Sequence, residues 1–353
     1  MFSHFKVGRF ILKLRALDDI HLPAYEGSTL RGGFGHALKK VCCALKRQEC
    51  ASCMLRDRCV YLYLFETPPP PDTQMMRLYP AAPHPFVIEP PENGSRVIAG
   101  GEHFEFGLTV IGRALEYIPY LIYAFMRLGE MGLGSGRRVA AAGGVEPNPP
   151  VESSAPHRPA AAGGRRGGKF SLEDVYAMSA EGLVSIYDSG GQSLKKPTPW
   201  PDREATAARC QALRPARRLT VHFKTPTRIK SNGRLTDEPE FHHLTSSLLR
   251  RLSALSYFHC GKRLEMDFKG LIERAGGIER VSSDLRWHDW ERYSGRQKQK
   301  MSLGGFIGEA TYAGNFGEFL PMLAWGEVVH LGKAVSFGLG RYELRVGVGN
   351  NLR

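Results

Sequence analysis

The spacing of apolar residues along the chain changes between two periods. In His103–Ile111, large apolar residues occupy every second position from Phe104 to Val110, which predicts a half-buried strand. In 241–259, leucines recur at helical spacing from Leu244 to Leu255, which predicts an amphipathic helix. The same two patterns, applied along the chain, predict the remaining elements.

Each half of the chain gives the order strand, helix, strands, helix, strand. In the first half we predict strands at 4–17, at 103–111 and from 169 onward, and helices at 28–44, capped by Ser28 or Thr29, and at 115–130. In the second half we predict strands at 219–226, 285–293, 304–312 and within 332–346, and helices at 241–259, 268–275 and 318–325. This is the ferredoxin-like order, so we expect an α+β protein made of two tandem ferredoxin-like domains.

Composition shifts place the domain boundaries. The first domain is predicted at 1–200, a Pro- and Arg-rich linker at 201–218 and the second domain at 219–353. Eighteen of the thirty residues in 139–168 are Ala, Gly or Pro, so this stretch has too little apolar area to fold and is predicted to be a disordered insertion. Nine prolines in 68–91 favour an extended surface segment.

The charge balance narrows the class of partner. The 48 Lys and Arg exceed the 35 Asp and Glu and give a formal charge of +13, which favours a polyanion, an anionic membrane or an acidic partner. The longest uncharged apolar stretch, 117–126, is half of the roughly 20 residues that a membrane span needs, and the N-terminus shows no secretory signal. We therefore expect a cytoplasmic protein.

Two basic groups favour nucleic acid as the polyanion, because phosphates need cations and unstacked bases need aromatic or guanidinium planes. The alternative is a solvated connector and an aromatic core with charged edges. The first group spans 205–236 without a single acidic residue, and aromatic residues interleave the second. The cations are Arg209, Arg214, Arg217, Arg218, Lys224, Arg228, Lys230 and Arg234 in the first group and Arg286, Arg292, Arg296, Lys298 and Lys300 in the second.

A glycine-rich stretch near the C-terminus, 332–341, is a second candidate phosphate site. Gly332, Gly338 and Gly340 would let backbone N–H groups approach a phosphate, with Lys333 and Arg341 neutralising it. The Walker pattern is absent, so the stretch does not indicate nucleotide hydrolysis. The alternative is a tight turn between a helix and a strand.

Four cysteines within 42–60 form a candidate metal site. Cys43, Cys50, Cys53 and Cys59 are separated by six, two and five residues, and Cys42 could replace Cys43. Four thiolates can hold structural zinc, with an iron–sulfur cluster as the second choice. The alternative is reduced, partly buried cysteines.

The predicted helix at 28–44 carries the candidate for proton transfer. At 100° per residue, His36 lies opposite the apolar stripe that contains Phe34, with Lys39 and Lys40 beside it. A histidine beside cations can serve general acid–base cleavage of a phosphodiester, and Tyr25 on the preceding loop could reach the same space. The alternative is an ordinary surface histidine.

Several long motifs, in the correct order, resemble the CRISPR repeat-processing endoribonucleases of the RAMP superfamily, in the branch with a cysteine-bearing N-terminal domain. The resemblance covers nearly the whole chain apart from 139–168. The matching stretches are LRGGFGHALKK at 30–40, CALKRQECASCMLRDRCVYLYLFETP at 43–68, YPAAPHPFVIEPP at 79–91, FHHLTSSLLRRLSALSYFHCG at 241–261, WHDWERYSGRQKQKMSLGGFIGEATY at 287–312 and GKAVSFGLGRYEL at 332–344.

The resemblance implies two ferredoxin-like domains with a basic cleft between them and metal-independent cleavage of the CRISPR precursor transcript within its repeats. It implies attack by the ribose 2′-OH, which leaves 2′,3′-cyclic phosphate and 5′-hydroxyl ends. His36 matches the family's histidine, with Lys39 or Lys40 for charge stabilisation and Tyr25 as a second acid–base. The family's glycine pattern, GhGxxxxxGhG, has His330 here in place of its first glycine.

We expect RNA contacts at Arg31, Lys224, Arg228, Lys230, Arg250, Arg286, Arg296, Lys298, Lys300, Gly332, Lys333, Gly338, Gly340 and Arg341. Two other functions stay open. One is a non-catalytic RNA-binding subunit of a CRISPR effector complex with the same fold. The other is a zinc-stabilised module that binds a protein partner. Cleavage of labelled repeat RNA in EDTA distinguishes the enzyme from a binder.

Overall fold

The computed structural model describes residues 2–46, 49–70, 73, 75, 81–91, 96–134, 167–191, 193–195, 202–231, 233–294 and 299–347. The predicted disordered insertion at 139–168 lies outside these ranges except for its last two glycines. Leu133, which precedes the insertion, forms an isolated bridge with Gly168, its last residue.

The first domain is built around one antiparallel sheet. The strands of this domain are β1 (Val7–Ala16), β2 (Ile20–Leu22), β3 (Phe86–Glu89), β4 (Arg96–Ile98), β5 (His103–Ile111), β6 (Phe170–Ser179), β7 (Gly182–Asp188) and β8 (Ser193–Leu194). The helices of this domain are α1 (Glu26–Cys42) and α2 (Ile118–Met131). The sheet order is β3-β5-β1-β6-β7-β8, and β2 pairs with β4 separately. The four strands β3-β5-β1-β6, with α1 and α2 between them in sequence, have the connectivity of a ferredoxin-like fold.

The second domain repeats that connectivity. Its strands are β9 (Arg218–Thr227), β10 (Ile229–Ser231), β11 (Arg234–Thr236), β12 (Glu279–His288), β13 (Glu291–Ser294), β14 (Gln299–Ser302), β15 (Gly305–Ala313) and β16 (Tyr342–Val346), and the helices from the linker onward are α3 (Asp202–Leu213), α4 (Phe241–Cys260), α5 (Phe268–Ala275) and α6 (Leu320–Val329). The sheet order is β12-β15-β9-β16, while β10–β11 and β13–β14 are separate hairpins. The predicted tandem ferredoxin-like architecture is confirmed.

Several element boundaries differ from the sequence prediction. Helix α1 begins at Glu26 rather than Ser28, with Tyr25 at its N-cap and no side-chain cap. The segment 201–218, predicted as a linker, contains α3, whose Arg209 donates two hydrogen bonds to Glu327 of α6 at 3.0 Å. Both differences come from contacts with distant parts of the chain, which local pattern does not report.

The two domains are joined through apolar packing. Helices α1 and α2 cover one face of the first sheet, where the rings of Phe34 and Phe125 stack with centroids 4.7 Å apart. The start of β1 and the end of β5 instead enter the core of the second domain, where Phe5 lies 5.3 Å from the ring of Trp325. None of the helices in the described ranges is both long and apolar enough to cross a bilayer.

A close backbone contact fixes the same junction. Gly112 has a φ of 62°, and a Cβ at this position would overlap the carbonyl oxygen of His259 in α4. His259 is buried, donates from Nε2 to the Pro83 carbonyl at 2.7 Å and accepts from the Tyr63 hydroxyl at 3.2 Å on Nδ1. The first domain therefore holds both the backbone and the ring of His259.

We predict that Gly112→Ala weakens the packing between the two domains and lowers the free energy of unfolding. Positive φ costs a residue with a Cβ about 1–2 kcal/mol, and the overlap with the His259 carbonyl adds to that cost. Gly101→Ala is the control, because Gly101 has a φ of 93° and open space around it. Denaturant unfolding should show a larger loss for Gly112→Ala. Equal losses in the two variants would show that the close contact adds nothing.

Candidate functional site

Helix α1 presents His36 to solvent. Its apolar face is buried through Leu30, Phe34 and Leu38, while His36, Lys39 and Lys40 are exposed. Gly32, one turn before His36, leaves open space where a side chain would stand. His36 and Lys40, four residues apart, are neighbours on the helix surface, so an imidazole and an ammonium group border the same open strip.

Lys39 and Lys40 differ in their surroundings. The Nζ atom of Lys39 lies 5.6 Å from the centre of the Tyr61 ring, a cation–π contact. Both lysines occupy the last turn of α1, where a positive charge is stabilised by the helix dipole. Lys40 is therefore the more available of the two cations predicted to act beside His36.

Tyr25 lies at the other end of α1. Its hydroxyl donates to the Phe337 carbonyl at 2.7 Å, and its ring lies 4.5 Å from that of Trp290. Burial raises the pKa of Tyr25 well above its usual value. At 1.5 Å per residue, the eleven positions to His36 span about 16 Å along the helix. The sequence predicts that Tyr25 reaches the space around His36. The structure instead places the Tyr25 hydroxyl at the opposite end of α1, away from His36.

Arg31 is held between the two domains. Its guanidinium lies 4.4 Å from the ring centres of both Phe65 and Phe337. Nε donates to the Ser336 hydroxyl at 2.8 Å, and a terminal nitrogen lies 2.9 Å from Nε2 of His84. These contacts attach α1 to the loop that precedes β16. Arg31, which the sequence predicts to contact RNA, is therefore engaged in domain docking.

The glycine-rich loop, residues 332–341, is largely buried. Its stretch from Val335 to Gly340 has little exposed surface, whereas Lys333 is exposed. A Cβ on Gly332 would lie 2.5 Å from the Arg228 carbonyl, and one on Gly338 would lie 2.7 Å from the Ile88 carbonyl. The glycines therefore admit protein backbone, and the loop is not an open phosphate cradle of the kind predicted.

Two non-glycine residues, one just before this loop and one within it, have positive φ. His330, the C-cap of α6, has φ 61° and ψ 170°, and Ala334 has φ 60°. Such conformations cost of the order of 1–3 kcal/mol for residues other than glycine and persist only when surrounding contacts fix them.

Four cations, Arg228, Lys230, Arg250 and Lys333, form what we call the cation cluster. Burial lowers the pKa of Lys333, and the charges of Lys230, Arg228 and Arg250 lower it further. Within the part of the chain that the structure describes, no carboxylate lies within ion-pair distance of any of the four. Unpaired positive charges at close range repel one another, so the cluster favours a bound polyanion.

The cluster is fixed by backbone contacts. The Lys333 amide donates to the Arg228 carbonyl at 3.0 Å, and the Arg228 guanidinium donates to the Gly304 carbonyl at 2.7 Å. A phosphate bound here would therefore meet an Arg228 guanidinium whose position is already set and a lysine, Lys333, whose backbone is fixed beside it.

The other predicted RNA contacts are scattered. Lys224 lies 3.8 Å from a carboxylate oxygen of Glu343, and Arg286 is exposed on β12, an edge strand. The Arg341 amide donates to the Thr225 hydroxyl at 2.9 Å. Arg296 and Lys298 lie outside the described residues, and for Lys300 only the backbone, in β14, is described.

The cysteines do not form the predicted metal site. Among the residues that the structure describes, no group of three or more His, Cys, Asp or Glu side chains is placed to hold a metal ion. Cys43, Cys50, Cys53 and Cys59 are free and half-buried, and Cys50 and Cys59 pack against the first domain's core. Burial, followed by the nearby thiols of Cys59 and Cys43, raises the pKa of Cys42 to about 11. The prediction of structural zinc is therefore not supported.

Comparisons with known proteins place the chain in a family. Residues 221–342 match the family model described as CRISPR-associated endoribonuclease Cas6, and residues 5–199 match a model described as an N-terminal domain, AF_1859_N. The chain belongs to the family of the AF_1859_N domain, and its second domain is similar to the Cas6 endoribonucleases. An uncharacterised protein of Archaeoglobus fulgidus is 35% identical over 116 residues, which cover 33% of this chain and 38% of that relative.

Solved structures agree on the fold of this chain. A Cas6 product complex has a TM-score of 0.50 at 17% identity, with 96% of this chain and 99% of that one covered. A partial Cas6-RT-Cas1–Cas2 complex has a TM-score of 0.55 at 16% identity, with 99% of this chain and 47% of that one covered. At these identities the likeness establishes the fold alone.

We predict that Tyr25→Phe weakens domain docking. The change removes the hydrogen bond from the Tyr25 hydroxyl to the Phe337 carbonyl, which should lower the free energy of unfolding by about 1–3 kcal/mol. Thermal unfolding measures this loss. Tyr176→Phe, on β6 of the first sheet, is the comparison. A Tyr25→Phe protein with unchanged stability would contradict the docking role.

Proposed function

We propose that this chain is an endoribonuclease that cleaves CRISPR precursor RNA within its repeats and so produces guide RNAs. The single observation that carries the proposal is the cation cluster with no carboxylate partner in the described residues, joined through the buried loop to the helix that exposes His36. The Cas6 family match supports the same substrate class.

The loop gives the proposed site its layout. Lys333 belongs to the cation cluster, and four residues later the Phe337 carbonyl receives the hydrogen bond from Tyr25 at the start of α1. A single strand held by its phosphates at the cluster can therefore continue along the open side of α1 toward His36. Backbone contacts position such a strand, while contacts to its bases set the sequence that is recognised.

We propose the following chemistry at His36. The ribose 2′-OH gives its proton to solvent water as its oxygen bonds to the adjacent phosphorus, and the bond from phosphorus to the 5′-oxygen breaks. His36 donates the proton that the departing 5′-oxygen takes up, and Lys40 stabilises the negative charge of the phosphorane. The products then carry a 2′,3′-cyclic phosphate and a 5′-hydroxyl, and no step in this scheme requires a metal ion.

The second candidate function is that of a non-catalytic RNA-binding subunit of a CRISPR effector complex. The hydrogen bond of the Tyr25 hydroxyl to the Phe337 carbonyl favours it, because that bond removes the second acid–base candidate from the proposed centre. Such a subunit would retain repeat RNA without cutting it.

We predict that His36→Ala slows single-turnover cleavage of labelled repeat RNA in EDTA by about 10²–10⁴-fold and leaves RNA affinity unchanged. His103→Ala is the matched control, because His103 is also an exposed histidine but lies on β5. Equal cleavage by His36→Ala and wild type would remove His36 from the mechanism. If the wild type binds the RNA but leaves it intact, the chain is a binding subunit.

We predict that the cation cluster sets the salt dependence of RNA binding. Lys230→Ala and Lys333→Ala should each reduce the slope of log affinity against log salt by about 0.7 for a single strand. Lys269→Ala is the control, because Lys269 is an exposed lysine on α5 that pairs with Glu273. Slopes equal to that of the control would place the RNA elsewhere on the protein.

A further inference from the structure

His330 combines a strained backbone with a fully buried side chain. Its φ of 61° and ψ of 170° lie in a region almost reserved for glycine, and its side chain is 1% exposed. Of the residues that the structure describes, Thr67, His330 and Ala334 are those with a Cβ at positive φ. Two of these three positions flank Lys333.

The imidazole joins the two ends of the glycine-rich loop. Nδ1 of His330 donates to the Leu339 carbonyl at 3.2 Å, and the Leu331 amide donates to the Gly340 carbonyl at 2.9 Å. The residue before His330 is also fixed, because Nε of Arg251 in α4 donates to the Val329 carbonyl at 2.7 Å. The loop therefore closes on itself at its base.

The surroundings keep this imidazole neutral. Burial lowers the pKa of His330 to about 4, and the charges of Arg251 and Arg341 lower it, while Glu89 and the Leu339 carbonyl raise it. A carbonyl only accepts hydrogen bonds, so Nδ1 carries the hydrogen. Glycine would adopt this backbone without strain, and the hydrogen bond to Leu339 is what the histidine adds.

We propose that His330 is a positioning residue for RNA, which acts without touching it. The proposal rests on the function proposed above. The clamp from His330 to Leu339 holds the loop in the shape that places Lys333 in the cation cluster and the Phe337 carbonyl against Tyr25. The buried imidazole cannot reach RNA itself, so its effect passes through Lys333.

The test compares His330→Gly, His330→Ala and His330→Asn in the full chain. His330→Gly removes the clamp and the strain, whereas His330→Ala removes the clamp and keeps the strain. His330→Asn offers a side-chain amide that can donate to the Leu339 carbonyl. Hydrogen exchange of the peptide that covers 330–341 reports the clamp directly, without RNA. We expect faster exchange of the Leu331 and Gly340 amides in the glycine and alanine variants and partial recovery in the asparagine variant.

A labelled repeat RNA then measures the consequence. His330→Gly should unfold near the wild-type temperature, because relief of strain offsets the lost bond, yet bind RNA about tenfold more weakly, a change of 1.4 kcal/mol. His330→Ala should show the same loss of affinity with a lower melting temperature. In a Lys333→Ala background, His330→Gly should change affinity by less than about twofold, since coupled residues are not additive.

Four results would overturn the proposal. Unchanged exchange in His330→Gly would remove the clamp, and unchanged affinity would remove its role in binding. An equal loss of affinity with and without Lys333 would make the effect a general structural one. Failure of the wild type to bind the RNA would refute the proposed function and this role together, whereas the other results leave the proposed function intact.

Discussion

Between the two sheets, the residues from 335 to 339 are buried, and polar side chains from the first domain meet their polar groups. Tyr25 donates to the Phe337 carbonyl and Arg31 to the Ser336 hydroxyl. A buried carbonyl or hydroxyl without a partner is costly, so these bonds define one relative position of α1 and the loop. Because Lys333 precedes this buried stretch by two residues, the same docking also places the cation cluster relative to the exposed face of α1.

The cations of the protein differ in whether they have a carboxylate or aromatic partner. Several arginines outside the cation cluster have carboxylate or aromatic partners: Arg209 has Glu327, Arg274 has Glu318, and Arg31 has two rings. The four residues of the cation cluster have none within the described chain. Paired charges contribute little net field, so the unpaired cluster is where a phosphodiester chain gains most.

Strain and burial concentrate where the two domains meet. His259 is buried there and His84 is half-buried, and burial lowers the pKa of His84 to about 3 and that of His259 to about 4. Arg251, which is half-buried, donates to the Val329 carbonyl at the end of α6. Local sequence pattern gives no signal for His84, His259 or Arg251, because the partners of each lie in other elements of the fold, as the bond from His259 to the Pro83 carbonyl shows.

The period of apolar positions determined the order of strands and helices in both halves, since burial of one face imposes that period whatever the partner. The same pattern placed His36 outside the apolar face of α1. Only the tertiary structure decided which cations have carboxylate partners, that the glycines of 332–341 admit backbone rather than phosphate, and that Tyr25 faces the loop. The physical reason is range: helix and strand periods are set by neighbouring residues, whereas hydrogen bonds and ion pairs depend on which distant segments the folded chain brings within a few ångströms.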